Sequence, residues 1–162
     1  MTKLFLICGL PGAGKTTIAK QLENEEAAVR FSPDEWVGAM AADDQKVMRE
    51  LNELRNEIEA LQWKLAQRVL ALGTNVILEN GFWARAERLD YIETGRRLGA
   101  EVILYWCDVP LDELCRRVAE RNESLPAGTF NITEEEVVLW SSWFQAPEAD
   151  ELAQYDKWVV VN

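Results

Sequence analysis

Four groups of residues in this chain have types and spacings suited to handling a phosphate. The first is "GLPGAGKTT", Gly9 to Thr17, directly after the apolar run "KLFLIC". Its glycines let the backbone turn tightly and aim several N–H groups at phosphate oxygens, and the helix N-terminus that follows adds a favourable partial charge. Gly9, Pro11, Gly12, Ala13, Gly14, Lys15, Thr16 and Thr17 are therefore the candidate contacts to a nucleoside triphosphate. Lys15 suits the β- and γ-phosphates, and the Thr16 hydroxyl suits magnesium. A plain glycine turn would not explain why Lys and Thr follow Gly14 in that order.

The second group is "RFSPDEW", at the end of another apolar run. In doubly wound sheets ligands bind beyond the carboxyl ends of the strands, which places Asp34 near the terminal phosphate. A carboxylate there can take a proton from an attacking hydroxyl. S-P-D-E is also a good helix start, and by residue type alone Asp34 as base and Asp34 as cap are evenly matched. Glu35 is the less favoured carboxylate.

The third group is "VILENGFWARAERLD". Glu79 ends an apolar strand, the position from which an acidic side chain orders magnesium-bound water. Phe82 and Trp83 follow at the active edge and suit either a substrate wall or the core. Arg85 and Arg88 enter the next helix, where a solvated face is the default reading and substrate contact the alternative. The fourth group is "DELCRRVAERN", which puts Arg117 and Arg121 on one helical face. Arginines closing over a transferring phosphoryl group are a recurrent solution. An ordinary surface helix, with Asp112 and Glu113 pairing to Arg116 and Arg117, has the same spacing.

The elements that must carry these groups alternate in type. Strand-like runs at Lys3–Cys8, Ala28–Phe31, Asn75–Leu78, Glu101–Cys107 and Lys157–Val161 are separated by helical patterns. That order predicts βαβ units and a parallel, doubly wound sheet. A helix starts within the glycine loop and runs through "KTTIAKQLENE". Asp43–Leu72 reads as one long helix, with Val47, Leu51, Leu54, Ile58, Leu61, Leu65 and Val69 or Leu72 forming a stripe packed on the sheet or on another helix. A dimerising seam is the alternative, so a monomer and a homodimer are both admissible. Further helices are expected over about 85–98 and 111–122, and Thr133 with Glu136 forms a capping-box pattern.

Composition limits the chemistry. The 162 residues suit one domain, 1–162, and histidine is absent, so any general base is a carboxylate, Lys, Tyr or water. Cys8, Cys107 and Cys115 lack metal spacing. No apolar run approaches a bilayer span, so no membrane partner is expected. The N-terminus runs straight into the glycine loop, which favours the cytoplasm. A net charge of −11 disfavours long nucleic acid as a partner.

Taken in this order, the "GLPGAGKTT" loop, the Asp after the second strand, "ENGFWARAERLD", "DVPLDELCRRVAERN" and "FNITEEE…W…FQAPEADE" resemble small P-loop kinases of the AAA_33 type. Relatives of that group include the polynucleotide 5′-hydroxyl kinase domain, chloramphenicol phosphotransferase and the zeta toxins. The resemblance implies a P-loop NTPase fold, a three-layer α/β/α sandwich whose five-stranded parallel sheet has order 2-3-1-4-5. It implies ATP with Mg2+, Asp34 as general base, Trp36–Leu72 as the acceptor-side helical region, and a helical lid over about 115–132. Arg117 and Arg121 would be the lid arginines. Glu79 stands where several relatives have Asp. The expected activity is γ-phosphoryl transfer to a hydroxyl of a small molecule, with Trp36, Phe82, Trp83, Arg85 and Arg88 as candidate acceptor contacts. A polynucleotide 5′-hydroxyl kinase and an ATP-binding regulatory protein with slow hydrolysis are the alternatives.

Overall fold

Alternation along each strand decides which helices cover which face of the sheet. In the computed structural model, which describes residues 1–162, Leu4, Leu6 and Cys8 of β1 (Lys3–Cys8) point to one side, and Phe5 and Ile7 point to the other. Such two-sided burial requires a helical layer on both faces, because neither face can be left to water. The first side joins Val76 and Leu78 of β3 (Asn75–Gly81) and Val102 and Leu104 of β4 (Glu101–Cys107) to Ala66, Leu70, Tyr91 and Ile92. The second joins Ile77 and Ile103 to Ala19, Leu22, Leu114, Val118 and Val137. With β2 (Ala28–Phe31) and β5 (Lys157–Val161) at the edges, the parallel sheet has order β2-β3-β1-β4-β5.

The helices are α1 (Lys15–Glu25), α2 (Pro33–Ala41), α3 (Gln45–Asn52), α4 (Arg55–Ala71), α5 (Arg85–Arg97), α6 (Leu111–Glu123), α7 (Glu134–Trp143) and the short α8 (Ala149–Leu152). The Thr133–Glu136 capping box is present at the start of α7. No helix is long and apolar enough to cross a membrane.

Two expectations from the sequence need correction. β3 continues past Leu78 to Gly81: Glu79 and Asn80, though polar, are buried, and after a shift of register between Leu6 and Cys8 the pairing with β1 resumes at Gly81. The expected single helix over Asp43–Leu72 is two helices, broken at Glu53 and Leu54, whose N–H groups reach back only three residues to Glu50 and Leu51. The break lets Met48 and Ile58 enter one small core with Val37 and Ala41. In an unbroken helix, ten residues apart, they would lie about 80° apart around the axis. The expected apolar stripe is split as well. Leu54, Leu61, Leu65 and Leu72 are exposed, whereas the buried row of α4 is Ile58, Gln62, Ala66 and Leu70, every fourth residue.

The loop after α6 is held down on α2 and α3. A Cβ on Gly38 would lie 2.4 Å from the Gly128 Cα, so only glycine permits this approach. Asp43 accepts a hydrogen bond from the Gly128 N–H at 2.8 Å. Gln45 donates to the Thr129 carbonyl and accepts from the Asn131 N–H, and Arg49 donates to the Asn131 carbonyl and to Glu136. Residues 126–132 are thereby fixed above the carboxyl ends of the strands.

Candidate active site

One cleft of about 960 Å³ opens at that edge of the sheet. Its floor is the β1–α1 loop. Gly9 has φ +152° and lies so close to Cys107 that a Cβ would meet the Cys107 carbonyl at 3.0 Å, while the Gly9 N–H bonds to the Gly81 carbonyl. Gly14 closes the loop in a left-handed conformation at the N-cap of α1. Pro11, Gly12, Gly14, Lys15, Thr16 and Thr17 line the cleft. Ala13 instead packs in the core beneath the loop, and Gly9 is outside the cleft lining, held against Cys107 and Gly81.

Lys15 is seated across its own loop, with Nζ donating to the Leu10 carbonyl at 2.8 Å. Enclosure lowers its pKa, and the Asp34 charge opposes that shift. Thr16 donates its hydroxyl proton to Glu79. The other Glu79 oxygen accepts from Arg30 at 3.0 Å, and the same guanidinium holds Glu23 and Glu35. Burial works against the Arg30 charge, but these carboxylates more than offset it and raise its pKa. Arg30 thus joins α1, α2 and β3 through one cation and fixes the orientation of Glu79.

Asp34 does not cap α2. Ser32 does, accepting from the Glu35 N–H, and Asp34 in the first turn is left free to face the cleft. Arg55 donates to Asp34 at 2.6 Å and to Glu59 at 2.8 Å, joining the candidate base to α4. Burial raises the pKa of Glu59, and Arg55 counteracts it.

From α6, Arg117 and Arg121 both reach the cleft. Arg117 is paired with Glu113 at 2.7 Å and lies 3.5 Å from the Gly12 carbonyl. Arg121 differs: its Nε and one terminal nitrogen are buried without any hydrogen-bond partner. Burial lowers its pKa, and the Asp34 charge partly restores it. An unpartnered guanidinium lining the cleft above the phosphate loop is a site that an anion would satisfy.

Of the candidate acceptor residues, Phe82 and Trp83 line the cleft, and Trp83 donates its indole N–H to the Gly9 carbonyl. The other three lie elsewhere. Trp36 packs against two of the hydrophobic clusters, and Arg85 is tied to Asp150 and Glu148 outside the cleft. Arg88 is wholly buried, bidentate to Glu151 and donating to the Phe82 carbonyl, so it is neither solvated nor a substrate contact. Its role is to hold the strained exit of β3, where Phe82 has φ +52°.

The sequence reading missed Arg30, Asn52, Arg55, Asn56, Glu59, Asn80 and Glu87. A signal existed for four of them: Asn52, Arg55, Asn56 and Glu59 recur at three- and four-residue intervals, a polar row opposite the leucines. Nothing in sequence spacing ties Arg30 to Glu79.

The sheet order, the glycine loop after the first strand and the arginine-bearing helix above it define a P-loop NTPase of the kinase-like type. The chain belongs to the AAA_33 family, whose model, described as an AAA domain, matches residues 4–147. It is similar to the cytidylate kinase of Halobacterium salinarum, with 27% identity over 164 residues, 98% of this chain and 73% of that protein. In structure it is similar to Chaetomium thermophilum Kti12, solved with ADP-AlF3, with TM-score 0.72, 15% identity, and 98% and 88% of the two chains covered. A gluconokinase from Sinorhizobium meliloti gives TM-score 0.62, 15% identity and coverage of 98% and 82%. At such identities these two structures speak to the fold.

Proposed function

We propose that the protein transfers the γ-phosphoryl group of ATP to a hydroxyl of a small-molecule acceptor. The observation that carries this reading is Arg121, an unpartnered cation, facing Asp34 across one cleft whose floor is the phosphate loop. The loop N–H groups and Lys15 would hold the β- and γ-phosphates, with Lys15 leaving the Leu10 carbonyl to do so. Arg117 and Arg121 would neutralise charge on the equatorial oxygens as the phosphoryl group moves in line. The acceptor oxygen bonds to the γ-phosphorus, the bond to the β–γ bridging oxygen breaks, the hydroxyl proton passes to Asp34, and ADP leaves.

The Thr16 hydroxyl and the Glu79 carboxylate are in direct contact, and no group of three or more His, Cys, Asp or Glu side chains could hold a metal unaided. Such a sparse oxygen pair fits Mg2+ held mainly by phosphate and water. Thr16 would ligate it directly and Glu79 would orient a bound water. Bound there, the ion would neutralise negative charge on the phosphates.

Asp34→Asn tests the reading. Transfer should fall by about 10²-fold or more, while the Kd for an ATP analogue, read by calorimetry, stays close to unchanged. Full transfer in that variant would remove Asp34 from the chemistry. ATP binding with hydrolysis alone, across a broad acceptor panel, would favour the regulatory alternative.

A further inference from the structure

The cleft wall opposite the phosphate loop is short of positive charge. Asp34, Glu59 and Glu87 line it, and Arg55 is already engaged by the first two. Glu87 forms no ion pair, and the Ala84 backbone is the one group that hydrogen-bonds to its carboxylate. Arg88, the other cation it feels, is committed to Glu151. Burial, together with the negative charge of Glu59, pushes the Glu87 carboxyl up to about 7. A second and independent feature sits on the same wall. Asn80 is 8% exposed and lines the cleft beside the Tyr91 hydroxyl, whose raised pKa it opposes, yet neither its carboxamide oxygen nor its nitrogen makes a hydrogen bond within 3.5 Å. Buried carboxamides are almost always satisfied, so this one is built for something that enters.

The chemistry of the wall discriminates among acceptors. A phosphate-bearing acceptor would bring negative charge against three carboxylates and a single committed arginine. A neutral polyol could bond to Asn80 but would leave Glu87 uncompensated. An ammonium group would neutralise Glu87 and Glu59 and restore their charged forms. We propose that the acceptor is an amino alcohol or amino sugar whose ammonium group is held by Glu59 and Glu87. Asn80 takes a neighbouring hydroxyl, and the reacting hydroxyl faces Asp34. This rests on the kinase reading above and names the substrate class of the same site.

The test uses the intact chain loaded with a non-hydrolysable ATP analogue. Calorimetric titrations compare glucosamine, ethanolamine and deoxystreptamine with their N-acetyl derivatives and with cytidine monophosphate. An amine is expected to bind about tenfold or more tightly than its acetylated partner. Glu87→Gln should abolish that difference while leaving the analogue's affinity within about twofold, and Glu59→Gln provides a second, independent substitution. Equal binding of amine and amide, no binding by any amine, or tighter binding of cytidine monophosphate would each overturn the assignment. In those cases analogue binding by the wild-type chain leaves the kinase reading standing. Failure to bind the analogue at all overturns both.

Discussion

The two walls of the cleft solve opposite electrostatic problems. On the phosphate-loop side, Lys15 has only a carbonyl partner and Arg121 has none, so positive charge is held in readiness. On the far side, Arg55 is paired with Asp34 and Glu59, and Glu87 has no ion-pair partner. A wall built only for stability would pair its charges, as Arg88 and Glu151 do in the interior a few residues away. On the proposed reading, the unpaired groups, rather than the paired ones, are the places for the charged parts of substrates.

The sharpest way to break this comparison is Arg121→Met. If Arg121 acts on the transferring phosphate as proposed, transfer should drop by about 10³-fold. The Tm should stay level or rise by a few degrees, at roughly 2–4 °C per kcal/mol, because no internal partner is orphaned. A large fall in Tm would mean that Arg121 is structural. Arg88→Met should do the reverse: it strands Glu151 in the interior and should cost about 3–5 kcal/mol in chemical denaturation. Smaller again is Arg30→Lys. A lysine cannot bridge Glu23, Glu35 and Glu79 at once, so transfer should fall about tenfold with a weaker Mg2+ dependence and little change in Tm.

The smallest effect is a pH slope. The folded-state pKa of Glu87, about 7, lies above its ordinary value, so the native state binds the proton more tightly than the unfolded chain does. Stability from this group is therefore greatest at low pH and declines as pH rises from about 4.5 to about 7. Tm measured across that window should fall more steeply for wild type than for Glu87→Gln. Parallel curves would show that Glu87 is not held protonated.

What could be read from the chain differs by element. β1, α1, β2, β4 and β5 fall where their apolar runs and caps place them, because each is specified by local alternation or by a glycine stop. The phosphate loop is legible for the same reason, because its spacing is the signal, whereas spacing leaves Asp34 divided between base and cap and the Arg117–Arg121 face divided between lid and surface helix; the family resemblance is what singles them out. Arg88 was misread because its partner, Glu151, lies 63 residues away in a short helix that the sequence pattern did not reveal. The break at Glu53–Leu54 was hidden because no Pro or Gly marks it, and packing of Met48 and Ile58 into one core imposes it.

Local sequence specifies the five strands in their order and the loop for a triphosphate, and composition rules out a histidine base, since none of these needs a partner from a distant segment. Only the tertiary structure decided which charges are paired. Arg30, Arg55, Arg88 and Arg121 are alike in composition. Yet packing pairs three of them with carboxylates from distant segments and leaves the fourth without a partner at the cleft, and such pairing leaves no trace in local spacing.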